Sequence, residues 1–200
     1  MADIYDISSN NQERFSLGVT GSKTLFCFGV NPSTATPDAY DNAMKRLKRI
    51  AYANKYDSWL MLNLYPQRAT DSKNLNTVLN AAIHKENLRC IEKYIQDDSD
   101  ILCSWGNSIG RRAYLRCCLI DIYEILRQKK NLRWYFINAL TKDGNPRHIS
   151  RQNIPIGLNQ FTGIEKYIGA MYHLRGRAYQ AKGDTKKADA DFAAAKKLGY

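Results

Sequence analysis

No apolar stretch of this chain approaches the roughly 18 residues that a membrane-spanning helix needs. The opening segment, MADIYDISSNNQERF, lacks the basic and apolar regions of a secretory leader, so none is expected. Cysteine is scarce and odd in number. Cys27, Cys90, Cys103, Cys117 and Cys118 sit inside apolar segments, and none forms a C-x-x-C pair. That disfavours a disulfide framework or a zinc site and points to reduced thiols in a cytoplasmic protein. His84, His148 and His173 are too scattered to suggest a metal cluster. Neither a Walker loop nor G-x-G-x-x-G is present, which argues against ordinary NTPase and dinucleotide-binding roles. Acidic residues are few: 19 Asp and Glu face 30 Lys and Arg, for a formal net charge of +11. The surplus favours polyanionic partners, nucleic acid first, although many basic proteins bind none.

What is present is a regular alternation. Leu25–Val30 is an apolar run of strand length, and Trp59–Leu64, Asp100–Trp105 and Leu132–Leu140 are three more. Between them lie helical patterns. Thr36-Pro37 reads as a helix start, with Met44, Leu47, Ile50 and Ala51 on one face to about Asn54. Leu75–Ile95 and Arg111–Lys129 follow with apolar positions at helical spacing. Strands alternating with helices predict parallel βαβ units, and strands without polar alternation predict a sheet covered on both faces. The expected fold is α/β, a three-layer α/β/α domain over residues 1–150 with a central, mostly parallel sheet of about four strands.

After His148 the pattern stops. Residues 151–165 read as a linker, and 166–200 as a separable α-helical hairpin. Tyr172, Gly176, Tyr179, Gly183, Ala188, Phe192 and Ala195 stand at the spacing of a tetratricopeptide repeat, which this segment resembles; Arg175 stands where that motif prefers Leu. One such repeat is too few for a solenoid, so the hairpin should pack on the α/β domain or on a protein partner. It carries eight basic against three acidic residues.

Ligands of open parallel sheets bind outside the carboxyl ends of the strands. The four ends here read GVNPSTA, LNLYPQRAT, SWGNSIGRR and LTKDGNPRH. Each alone is an ordinary turn; together they offer one shared polar site. Asn31 and Asn63 present donor and acceptor to an amide edge such as that of a nucleobase. Gly29, Gly106 and Gly144 allow close backbone approach. Ser33 and Thr34, near a helix start, and Arg68, Arg111, Arg112 and Arg147 could hold phosphates. His148 could donate to a developing oxyanion. Lys45, Arg46, Lys48 and Arg49 read first as the wet face of their helix, and Trp105 as core.

GVNPSTA, LMLNLYPQRAT, CSWGNSIGR and TKDGNPRH occur in the order and spacing of the domain of unknown function 1643 family of bacteria and phages, which the chain resembles over Leu25–His148. Ile149-Ser150-Arg151 replaces that family's usual Pro-Leu-Tyr. The motif order is in turn similar to that of the uracil-DNA glycosylase superfamily. By that resemblance Asn31 matches the water-positioning residue, Asn63 the base-reading Asn, Trp105-Gly106 the third motif and His148 the leaving-group His. The resemblance implies Asn31 and His148 as catalytic, and Gly29, Pro32, Ser33, Asn63, Arg68, Trp105, Gly106, Asn107 and Arg147 as substrate-binding. It implies a nucleobase, nucleotide or nucleic-acid ligand, N-glycosidic bond hydrolysis, and no metal or other cofactor. The Asp of that superfamily's most active branch is absent, and no Ser follows a His-Pro. The alternatives are a binding module without catalysis, with the hairpin for a protein partner, and a metal-dependent phosphoryl-transfer enzyme. The only ligands for the last would be Asp38, Asp41 and Asp71, which look more like helix-cap and turn residues.

Overall fold

The structure is a computed structural model and describes residues 2–150 and 155–200. A seven-stranded sheet runs through it in the order β1-β2-β4-β3-β5-β6-β7. The strands are β1 (Ile4–Ile7), β2 (Arg14–Val19), β3 (Thr24–Gly29), β4 (Ser58–Asn63), β5 (Asp100–Cys103), β6 (Arg133–Ile137) and β7 (Leu158–Gln160). β4, β3, β5 and β6 pair in parallel and correspond to the four expected apolar runs. β1, β2 and β7 add antiparallel edges. Among the described residues five α-helices accompany the sheet: α1 (Asn42–Ala53), α2 (Ala81–Tyr94), α3 (Ala113–Leu126), α4 (Ile164–Ala181) and α5 (Thr185–Lys197). Among the described residues no helix is long and apolar enough to cross a membrane.

Two hydrophobic clusters divide the core, and successive residues of β3 alternate between them. Leu25 and Cys27 join Trp59, Met61 and the buried stripe of α1, Met44, Leu47, Ile50 and Ala51. Phe26 and Phe28 join Leu60, Leu62, Ile91 of α2 and Leu115, Cys118, Leu119 and Ile122 of α3. This is the period-2 alternation of a strand with an apolar environment on each side. The five cysteines are free thiols, and burial raises the pKa of each.

Two helix starts fall later than the spacing predicts. Thr36-Pro37 does not open α1. Thr36 and Ala39 instead exchange backbone hydrogen bonds in a tight turn, and Asp41 caps the helix by accepting from the Met44 N–H at 2.9 Å. An acidic cap beats Thr-Pro here because its carboxylate satisfies an orphan N–H of the first turn. Likewise α2 starts after Asn80, whose side chain caps it, and not near Leu75.

Between β1 and β2 the register shifts, so that Asp6 faces Ser16 but Ile7 faces Arg14, leaving Phe15 as an extra residue. Such a bulge reverses which face the next side chain occupies. Ser16 bonds Asp6, which also receives Tyr94 of α2. Arg14 reaches instead to the Ala35 carbonyl, on the α1 side.

The expected linker holds β7, which pairs with β6; its residues 151–154 lie outside the described residues. The C-terminal helical pair follows, with Ala188 and Ala195 of α5 buried. Ile164, Ile168, Met171 and Tyr172 of α4 are buried in the same cluster as α2 and α3. Each such side chain is worth about 1.5–3 kcal/mol of burial, against a total domain stability of roughly 5–15 kcal/mol. A chain ending at Thr162 is therefore expected to melt far below the full chain, or not to fold. A chain ending at Gly183, which keeps α4, should lose much less. Thermal melting by circular dichroism checks this, and equal melting of the Thr162 truncation and the full chain would show α4 to be dispensable.

Candidate functional site

β3 connects through α1 to β4 on one side, whereas β5 connects through α3 to β6 on the other. Adjacent parallel strands whose connections diverge leave a crevice at their carboxyl ends. A cleft of about 740 Å³ lies there, within the roughly 300–1,000 Å³ of small-molecule sites. Gly29, Asn31, Ser33, Asn63 and His148 all line it.

Asn63 is the last residue of β4 and sits opposite Gly29 in the parallel register. A Cβ at position 29 would lie 3.0 Å from Asn63 Oδ1, so glycine leaves room for the carboxamide. Asn63 is 1% exposed, and its Nδ2 is buried without a hydrogen-bond partner among the described residues. Its backbone, by contrast, is held: Asn87 Nδ2 donates to the Asn63 carbonyl at 3.0 Å. A buried amide with nothing to donate to costs stability unless something binds there.

Asn31 is anchored differently. Its Nδ2 donates to the carbonyls of Ala69 (2.7 Å) and Pro32 (3.0 Å), which leaves Oδ1 to accept from water or ligand. His148 Nδ1 accepts the Ser150 N–H at 3.2 Å and lies 2.7 Å from Ser150 Oγ. An accepting Nδ1 puts the proton of the neutral ring on Nε2. The loop carrying His148 is tied to the end of β5, since Ile149 N–H donates to Ser104 Oγ at 2.9 Å and Gly106 N–H to the Pro146 carbonyl at 2.8 Å. Gly106 has φ +57°, a left-handed conformation that favours glycine, and approaches His148 closely.

The remaining candidates lie elsewhere. Gly106, Asn107 and Arg147 line a second depression, which His148 shares. Arg147 donates to the carbonyls of Ala139 and Leu140. Asn107 accepts from Thr141 Oγ1 and Asn145 Nδ2 and donates to Asp143. Pro32 is buried beneath the first loop, its carbonyl accepting the Ala69 N–H. Arg68 braces the same loop through the Ser33 carbonyl (2.6 Å) and Tyr5 Oη (2.6 Å). Trp105 is fully buried, its Nε1 donating to Tyr167 Oη at 2.9 Å. Arg112 holds the carbonyls of Lys73 and Leu75. Of the basic run on α1, Lys45, Lys48 and Arg49 are exposed and Arg46 is buried.

Of three further cleft residues, Arg14 carries no signal in the sequence, and Asp41 and Asp71 stand there only as ligands of the metal-dependent alternative. Asp41 and Asp71 line the cleft, each using one carboxylate oxygen to cap its own helix. Arg14 also lines it, at 2% exposure. Nothing in the local sequence signals Arg14, because the bulge at Phe15 decides the side it faces.

The family model described as Protein of unknown function (DUF1643) matches residues 14–148. No curated protein and no solved structure matches the chain.

A polar group kept for a ligand and one kept for the fold respond oppositely to removal. Asn63→Ala deletes a buried, unpartnered amide and is expected to leave the melting temperature unchanged or raise it. Ser104→Ala removes the acceptor of the Ile149 N–H in a fully buried setting and should cost about 1–3 kcal/mol. Denaturant unfolding of both variants checks this, and a loss in Asn63→Ala matching that of Ser104→Ala would mark Asn63 as structural.

Proposed function

We propose that this chain, which belongs to the DUF1643 family of proteins of unknown function, holds a nucleobase in the cleft at its strand ends and hydrolyses the N-glycosidic bond that carries it. The observation that supports this best is the Asn63 Nδ2, buried without a hydrogen-bond partner among the described residues, in a cleft also lined by Asn31 and His148. A carboxamide pairs its donor and acceptor with a lactam or amide edge, which is how one side chain reads a base. On this reading the sheet and its helices form the three-layer architecture of uracil-DNA glycosylases, whose motif order the strand ends resemble. A base in a duplex would be extruded to reach the cleft.

In the reaction, the oxygen of water bonds to C1′ while the C1′–N bond breaks with its electron pair on the base. The released proton neutralises the base anion. Asn31 Oδ1 orients the water, since its Nδ2 is already engaged. His148, protonated on Nε2, stabilises the departing anion by hydrogen bonding. Asn31 is neutral and cannot take a proton, so the barrier must fall through positioning and leaving-group stabilisation. That same neutrality favours the second reading, a binding module without catalysis that uses the α4–α5 pair for a protein partner.

The test is base release and binding across a panel of nucleosides and oligonucleotides. Asn63→Ala should weaken recognition by roughly tenfold or more, because the ligand's polar edge is left unmatched. His148→Ala should lower turnover more than affinity, since a leaving-group donor acts in the transition state. Binding that depends on Asn63 without base release would favour the second reading, and no dependence on Asn63 would defeat both. Any oligonucleotide affinity should fall steeply between low and physiological salt as counterions are released; a flat salt titration would exclude phosphate contacts.

A further inference from the structure

Arg14 is a charged side chain at 2% exposure without a carboxylate within ion-pair distance among the described residues. Its Nη1 donates to the Ala35 carbonyl at 3.0 Å, and its Nε is buried with no partner among the described residues. Burial, and then repulsion from Arg68, pull its pKa down to about 10; Asp41 opposes this only at longer range. Arg68 lies in a similar state: it donates to the Ser33 and Ala35 carbonyls and to Tyr5 Oη, and its Nε too is buried without a partner among the described residues, but unlike Arg14 it does not line this cleft. A lone buried guanidinium costs stability and is relieved by an anion. Arg14 opens on the cleft beside Ser33 and Thr34.

We propose that Arg14 seats a phosphate, so that the ligand of the cleft is a nucleotide unit and not a free base or nucleoside. This rests on the base-reading role of Asn63 proposed above. Asp41 and Asp71 also line the cleft and disfavour an anion near them, so the Arg14 guanidinium holds the phosphate against their repulsion. The phosphate could belong to a mononucleotide or to a strand; the guanidinium chemistry is the same.

The test is titration calorimetry at low salt with each common nucleoside, its 5′-monophosphate, inorganic phosphate and single-stranded tetranucleotides. In the wild-type chain at least one monophosphate should bind about tenfold or more tighter than its nucleoside. Arg14→Met should abolish that difference while melting no lower than the wild type, because a desolvated charge has been removed. A tetranucleotide that binds tighter still, and loses that gain in Arg14→Met, supports the subsite and assigns the phosphate to a strand. Equal affinity for nucleoside and monophosphate in the wild type overturns the phosphate subsite and leaves the Asn63 reading standing. Arg14-dependent binding of inorganic phosphate, with no preference among bases and no effect of Asn63→Ala, supports the subsite and overturns the base reading instead. A large fall in melting temperature with unchanged monophosphate affinity makes Arg14 structural and overturns the proposal.

Discussion

Gly29 lies directly across from Asn63 in the parallel pairing of β3 and β4, and the cleft depends on that pairing. The ladder continues past both strands: Leu64 N–H donates to the Gly29 carbonyl and Tyr65 N–H to the Val30 carbonyl. Asn87 grips the Asn63 carbonyl from α2. The main chain of Asn63 is therefore held from two directions, and its carboxamide is not needed to hold it. A side chain can be left without partners only where the backbone alone fixes its position. The missing Cβ at Gly29 turns that fixed, unoccupied amide into the floor of a cavity.

The core bears the cost of this arrangement. Asn63 Nδ2 and Arg14 Nε are buried polar atoms without partners among the described residues, and both residues line the same cleft; Trp59 Nε1, Arg68 Nε, His84 Nδ1 and Asn87 Oδ1 are in the same state outside it. Other buried charge is matched: Asp191 is paired with Arg175 at 2.8 Å, and Asp100 with Arg133 at 2.5 Å. What sets Asn63 and Arg14 apart is that both line the cleft. The carboxyl ends can carry such groups because two continuous apolar clusters below them supply the stability.

β3 to β6 were legible as runs of apolar residues because strands buried on both faces have no polar alternation to blur them. The strand-end motifs were legible because four of them recur in one order, and Asn31, Asn63 and His148 indeed line one cleft. The edges were not. β7 is three residues long with two of them exposed, so it carries no pattern. β1 and β2 are interrupted by a bulge, and the bulge is what delivers Arg14 to the cleft. Arg68, Arg112 and Arg147 have the composition of phosphate clamps, yet backbone carbonyls engage each of them. Backbone carbonyl engagement is shared by Arg14, so which arginine lines the cleft is a property of tertiary packing and not of local sequence.

The C-terminal pair looks like an appendage in sequence because its alanine- and lysine-rich composition differs from the rest. Its first helix nevertheless enters the polar network of the strand ends. Tyr167 Oη accepts from Trp105 Nε1 at 2.9 Å and donates to Asn145 Oδ1 at 2.7 Å. Asn145 Nδ2 then donates to Asn107 Oδ1 at 3.0 Å, joining the loop after β5 to the loop that ends in His148. Both loops meet again where the Gly106 N–H donates to the Pro146 carbonyl. The fully buried Trp105 indole finds its acceptor on α4. The position of His148 thus depends on a helix that lies outside the residues matched by the family model. Packing of α4 against α3 and the geometry of the cleft are consequently one structural problem, solved by the same tyrosine.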